Sequence, residues 1–141
     1  MEATLLLANS AEGTPAGTVS ALGIGWSVIG TPTPPTAIVI LIKVPWDQTN
    51  VKHQLVLRLA DADGGVGVMI PQPPTGEPAP LEVHAEFEVG RPPGLPHGTD
   101  IDQALALNIG AGLPLIPGHS YQWRLDIDDE PAATRSFFVR P

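Results

Sequence analysis

Residues 115–127 read LIPGHSYQWRLDI. Pro117 fixes its own φ and Gly118 permits the positive φ of a tight turn, so the chain reverses there. From Tyr121 onward the side chains alternate: Tyr121, Trp123, Leu125 and Ile127 share one face, while Arg124, Asp126 and Asp128 point outward. A period of two marks a strand with one side buried and the other wet. A tyrosine opening such a strand can bury its ring while its hydroxyl bonds back to the backbone of the preceding turn. Pro117, Gly118 and Tyr121 are therefore read as a structural corner, with no chemical role.

The same period recurs through the chain. In residues 81–89, Leu81, Val83, Ala85, Phe87 and Val89 point one way and Glu82, His84, Glu86 and Glu88 the other. Residues 53–59, 103–109 and 134–139 alternate similarly, and residues 3–8, 18–29, 37–44 and 66–70 complete a set of about nine strands. Asp61-Ala62-Asp63-Gly64-Gly65 reads as a hairpin turn, because Asp-Gly accepts the φ that such turns need. Residues 100–106 come nearest to a helical pattern. Seventeen prolines and fifteen glycines punctuate the connections, chiefly at 30–35, 71–80 and 90–98. Many short strands between turn signals predict an all-β sandwich or barrel.

The corner at Pro117, Gly118 and Tyr121 resembles the turn into strand F of fibronectin type III and bacterial immunoglobulin-like domains, where it is called the tyrosine corner. That resemblance implies an immunoglobulin-like Greek-key β-sandwich, with a jelly roll as the second choice. Over the whole length, a further series appears in order: the LLLA strand, Gly-Trp-x-Val-Ile at 25–29, the apolar strand 37–44, Leu-x-Leu-x-Asp-x-Asp-Gly at 57–64, Glu-Phe-Glu-Val, and the Pro-Gly-x-x-Tyr turn. This series is similar to an uncharacterised family of small bacterial proteins, a domain of unknown function often found in actinobacteria. The resemblance implies a β-sandwich in a bacterial cytoplasm and carries over no catalytic residue.

A length of 141 residues suits one domain over 1–141, able to bury roughly two-thirds of the surface its unfolded chain exposes. The absence of cysteine excludes disulfides, thiolate metal sites and cysteine nucleophiles. Net charge is −8, and the seven Lys and Arg residues are scattered, whereas phosphate backbones demand clustered cations. Neither nucleic acid nor membrane is expected as a partner. The N-terminus lacks a basic region and a long apolar core, and a cytoplasmic location is expected.

Catalytic patterns do not emerge. No serine lies in a Gly-x-Ser-x-Gly elbow, and His53, His84, His97 and His119 lie far apart. Gly23-Ile24-Gly25 lacks the third glycine of a phosphate loop. The protein is therefore read as a non-enzyme, with no cofactor expected. The acidic residues offer an alternative. In an immunoglobulin-like strand order, the connection before strand E and the F–G turn share one end of the sandwich. Asp100, Asp102, Asp128 and Asp129 would then be candidates for an oxygen-rich cation or ligand site, with the Asp61 hairpin at the opposite end.

The strongest functional pointer is apolar excess. Ala37-Ile38-Val39-Ile40-Leu41-Ile42 is apolar on both faces, whereas a sandwich strand ordinarily wets one. Something must cover the outer face, either a loop of the same chain or another subunit. Trp26, Ile38, Val39, Ile40, Leu41, Ile42 and Trp46 are the candidate interface residues for protein–protein interaction or self-assembly into a homo-oligomer. The proline-rich stretch 90–98 is a further candidate for recognition by an aromatic groove.

Overall fold

Among the described residues, the tight-turn chemistry and two-residue period resolve into twelve strands and one short 3-10 turn. The computed structural model describes residues 1–72 and 74–141. In chain order the strands are β1 (Glu2–Ala8), β2 (Ser10–Gly13), β3 (Val19–Leu22), β4 (Val28–Ile29) and β5 (Thr36–Val44). The 3-10 turn (Trp46–Gln48) leads to β6 (Lys52–Asp61), β7 (Met69–Gln72), β8 (Glu77–Pro80) and β9 (Glu82–Glu88). Then follow β10 (Ile101–Ile109), β11 (Ser120–Ile127) and β12 (Glu130–Val139).

Two sheets face each other, one in the order β1-β5-β10 and the other β4-β12-β11-β6-β9. The protein is an all-β sandwich. Its partition is consistent with immunoglobulin-type lettering, in which β1, β5 and β10 stand as A, B and E and face β12, β11, β6 and β9 as G, F, C and C′. The chain changes sheet between β5 and β6, between β9 and β10, and again between β10 and β11.

Three sequence expectations are revised. Residues 18–29 form β3 and β4 rather than one strand, because Gly23 (φ 67°) and Gly25 (φ 103°) break the extended chain. The proline-rich stretch near 71–80 holds the β7–β8 hairpin. Residues 101–109 are strand throughout, paired with β5 from Ile101↔Val44 to Ile109↔Thr36.

The core lies between the sheets. β5 contributes Ile38, Ile40, Ile42 and Val44, and β1 contributes Leu5 and Leu7. Opposite them are Leu55, Leu57 and Leu59 of β6, the β11 face of Tyr121, Trp123, Leu125 and Ile127, and Phe137 and Val139 of β12. Each fully buried aliphatic side chain contributes about 1.5–3 kcal/mol from burial. Tyr121 closes the corner as its position implies: its hydroxyl accepts a 2.9 Å hydrogen bond from the backbone N–H of Ile116.

Candidate interaction surface

The apolar run in β5 resolves into two faces once the sandwich is formed. Ile38, Ile40 and Ile42 point into the core at 0%, 0% and 2% exposure. They are core residues, not interface anchors, because strand alternation turns them all toward the second sheet. Ala37, Val39 and Leu41 point outward.

A third layer covers part of that outer face. The β2–β3 hairpin packs Ala11, Val19 and Ala21 over Ala8, Ala37, Val39 and Ala106. Asn108 of β10 fixes it there: its Nδ2 donates to the Ala11 carbonyl at 2.9 Å and its Oδ1 accepts from the Ala11 N–H at 3.4 Å. One side-chain amide thus mimics a strand partner. At the base of the hairpin, Asn9 N–H donates to the Leu22 carbonyl at 2.9 Å. A Cβ at Gly23 (φ 67°) would lie 2.2 Å from Asn9 Nδ2 and 3.1 Å from Asn9 Cβ, so a larger residue there would have to displace the Asn9 side chain.

The cover is incomplete. Val39 is 4% exposed, but Leu41, two residues further along the same face, is 42% exposed. Beside Leu41 opens a groove of about 530 Å³, lined mainly by Leu6, Val19, Ile24, Val39, Leu41 and Ala104, with Asp102 and Gln103 at its rim. Of the two covers left open by the sequence, the intrachain one exists and reaches only half of the face.

Trp26 and Trp46, the two tryptophans among the candidates, are engaged within the chain. Trp26 is half-buried, edge-on to Phe137 with ring centroids 5.5 Å apart. Trp46 carries the Arg91 guanidinium 4.1 Å above its ring and His97 edge-on at 5.1 Å. Arg91 also donates to Thr49 Oγ1 at 2.6 Å and to the Trp46 carbonyl at 2.8 Å. These bonds tie the proline-rich stretch 90–98 to the 3-10 turn.

The acidic residues sort by end as expected. Ile101 pairs with Val44 at the far end of β5, and His53 near the start of β6 meets Asp128 in the β11–β12 turn; Asp61 closes the other end of β6. The carboxylates nevertheless form no donor set. Among the described residues, no group of three His, Asp or Glu side chains gathers where a metal ion could be held. Both oxygens of Asp128 are already used, Oδ2 by His53 at 2.6 Å and Oδ1 by the Gln54 N–H at 2.9 Å. Asp128 and Asp129 have φ of 50° and 65°, the left-handed pair of a two-residue hairpin turn.

His53 is the polar residue that sequence reasoning passed over. It is 1% exposed, with Nδ1 on Asp128 and Nε2 on the Gln48 carbonyl at 2.8 Å. Both partners accept, so the ring satisfies both only as the imidazolium. Burial works against that charge, but the Gln48 carbonyl and the Asp128 carboxylate more than reverse it and raise its pKa above 6.5. Asp128 is correspondingly held below its ordinary range by the Gln54 N–H and by His53. With neither nitrogen free, His53 is a structural bolt. The signal was its phase: His53 falls on the buried positions of Leu55, Leu57 and Leu59, and a buried histidine needs partners.

The sequence model of a family of unknown function, DUF6941, matches residues 3–140. The chain belongs to DUF6941. No curated protein and no solved structure matches the chain significantly. Among the described residues, no helix of this DUF6941 member is long and apolar enough to cross a membrane.

Proposed function

We propose that the protein is a non-enzymatic β-sandwich that acts by protein–protein contact, and that its contact surface is the uncovered outer face of the β1-β5-β10 sheet. The observation that carries this reading is the groove beside Leu41. An outer sheet face in water is ordinarily polar, as on β9, where Glu82, His84, Glu86 and Glu88 are exposed. Here the open part of the face is Leu6, Leu41 and Ala104, with Ile24 exposed at 53% beside it. Such a patch gains from burial against a partner.

Sedimentation velocity of the wild type against Leu41→Lys tests the reading through self-association. The wild type sediments faster as concentration rises, whereas the variant, which places a charge in the groove, sediments as a monomer with an unchanged melting temperature. A wild type that stays monomeric at high micromolar concentration removes self-association by this face.

A further inference from the structure

The two main sheets have four lateral edges, and three of them are closed or guarded. On β1, the Leu5 carbonyl accepts from Arg135 Nε at 2.8 Å and the Leu7 carbonyl from the Gly25 N–H at 2.8 Å. β4 is only two residues long. β9 carries Glu82, Glu86 and Glu88. β10 is different: nine residues in unbroken register, without proline, and with Asp102 as its sole charge. Among the described residues, no other strand or loop backbone bonds to it on the side away from β5, where the Ala104 carbonyl accepts only from the neighbouring Gln103 Nε2 at 3.5 Å. A long edge with a single charge is a template for another strand.

Alternation assigns the outward groups. Leu5 and Leu7 turn their carbonyls away from β5, so their partners Ile40 and Ile38 turn theirs toward β10. Leu105 and Leu107 lie opposite those residues and bond to β5. The N–H and C=O groups of Asp102, Ala104, Ala106 and Asn108 therefore face outward along the edge. The side chains agree. Leu105, Leu107 and Ile109 pack against the core yet stay half-buried, while Ile38 and Ile40 beside them are at 0%.

β10 reads Ile-Asp-Gln-Ala-Leu-Ala-Leu-Asn-Ile, close to a palindrome about Leu105. We propose that the protein forms a two-fold homodimer by antiparallel pairing of β10 with β10 of a second copy, which joins the two three-stranded sheets into one. The pairing uses the edge of the same sheet whose outer face is the contact surface proposed above, goes beyond that reading, and names the partner. In this register Ile101 faces Ile109, Ala104 faces Ala106 and Asp102 faces Asn108 of the copy. The outward backbone groups then meet as hydrogen-bonded pairs, and Leu105 faces its own copy in a non-hydrogen-bonded pair. The lone carboxylate meets no second charge. The same operation on β9 about Ala85 would set Glu82 against Glu88, and like charges directly opposite are destabilising. For a chain of net charge −8, that difference selects the edge.

Two variants test the pairing. Ala104→Pro removes an N–H that points away from β5, so the fold is kept and the dimer weakens by at least about tenfold as edge bonds are lost. Leu105→Cys places a thiol at the two-fold in a protein that has no cysteine, at the close approach of a non-hydrogen-bonded pair. Mild oxidation then gives a covalent dimer, and Met69→Cys, exposed elsewhere, gives none. A dimer that weakens with Ala104→Pro or cross-links through Leu105→Cys supports the pairing; if Ala104→Pro does not fold, the cross-link decides. A wild type that stays monomeric, or a dimer that neither responds to Ala104→Pro nor cross-links, overturns it. If such a dimer still dissociates with Leu41→Lys, the groove reading stands and the edge pairing falls. A cross-linked dimer indifferent to Leu41→Lys leaves the edge pairing standing without the groove.

Discussion

His53 Nδ1 and Asp128 Oδ2 lie 2.6 Å apart across 75 residues of sequence, at the end of the sandwich where β6 begins and β11 turns into β12. The contact joins a fully buried ring to a side chain that is 46% exposed, so the pair is anchored on one side and open to solvent on the other. Each partner favours the charged form of the other, and each loses that benefit at a different pH.

Stability should pass through a maximum in mildly acidic solution. His53 has a raised pKa, so its contribution is complete below about pH 6.5 and is lost as pH rises through the folded value. Asp128 has a lowered pKa, so its contribution is present above about pH 4 and is lost as pH falls through the folded value. Melting temperature against pH, for wild type and Asp128→Asn, checks this. The variant should lose most of the decline above neutrality. Identical alkaline limbs would remove the pair as its cause.

Neighbouring residues of β5 should respond by very different amounts. Ile40→Ala empties a core site and is expected to cost about 2–5 kcal/mol. Leu41→Ala trims a side chain that is 42% exposed and should stay within about 0.5–1 kcal/mol. Urea unfolding measures both, and comparable losses would contradict the two-faced strand.

Tyr121→Phe removes the hydroxyl that accepts from the Ile116 N–H while leaving the ring in the core. A loss of about 1 kcal/mol is expected, seen as a lower urea midpoint at constant slope. An unchanged midpoint would mean that the corner hydrogen bond adds nothing to stability.

Asn108→Ala should free the hairpin without unfolding the sandwich. The amide holds both backbone groups of Ala11, so hydrogen exchange should accelerate across β2 and β3 and stay slow in β11. Uniform acceleration would instead mark Asn108 as part of global stability.

Calcium should leave the melting temperature unchanged at millimolar concentration, since Asp128 is already bonded through both oxygens. A clear upward shift would show that the acidic end binds cations.

Much of the sandwich was legible from local pattern. The alternation of residues 81–89 and 121–127, the turn at Asp61 and the corner at Tyr121 each depend on a few consecutive residues, and all stand in the structure. The short strands were harder. β2 reads Ser-Ala-Glu-Gly and β8 Glu-Pro-Ala-Pro, and neither carries a period long enough to register. The candidate surface was half legible: doubly apolar β5 signalled a third layer, but Ile38, Ile40 and Ile42 could not be separated from Leu41 until one face had been assigned to the core.

The sequence by itself determined that this chain is all-β, where its turns fall and which strands are doubly apolar, because periodicity and turn chemistry act over neighbouring residues. Only the tertiary structure decided that His53 is a bolt on Asp128, that Asn108 holds Ala11, and that Arg135 closes β1 while β10 stays open. Those partners lie 75, 97 and 130 residues apart. No local preference encodes such a pairing; it is selected when burial of the two sheets fixes which polar groups must find one another.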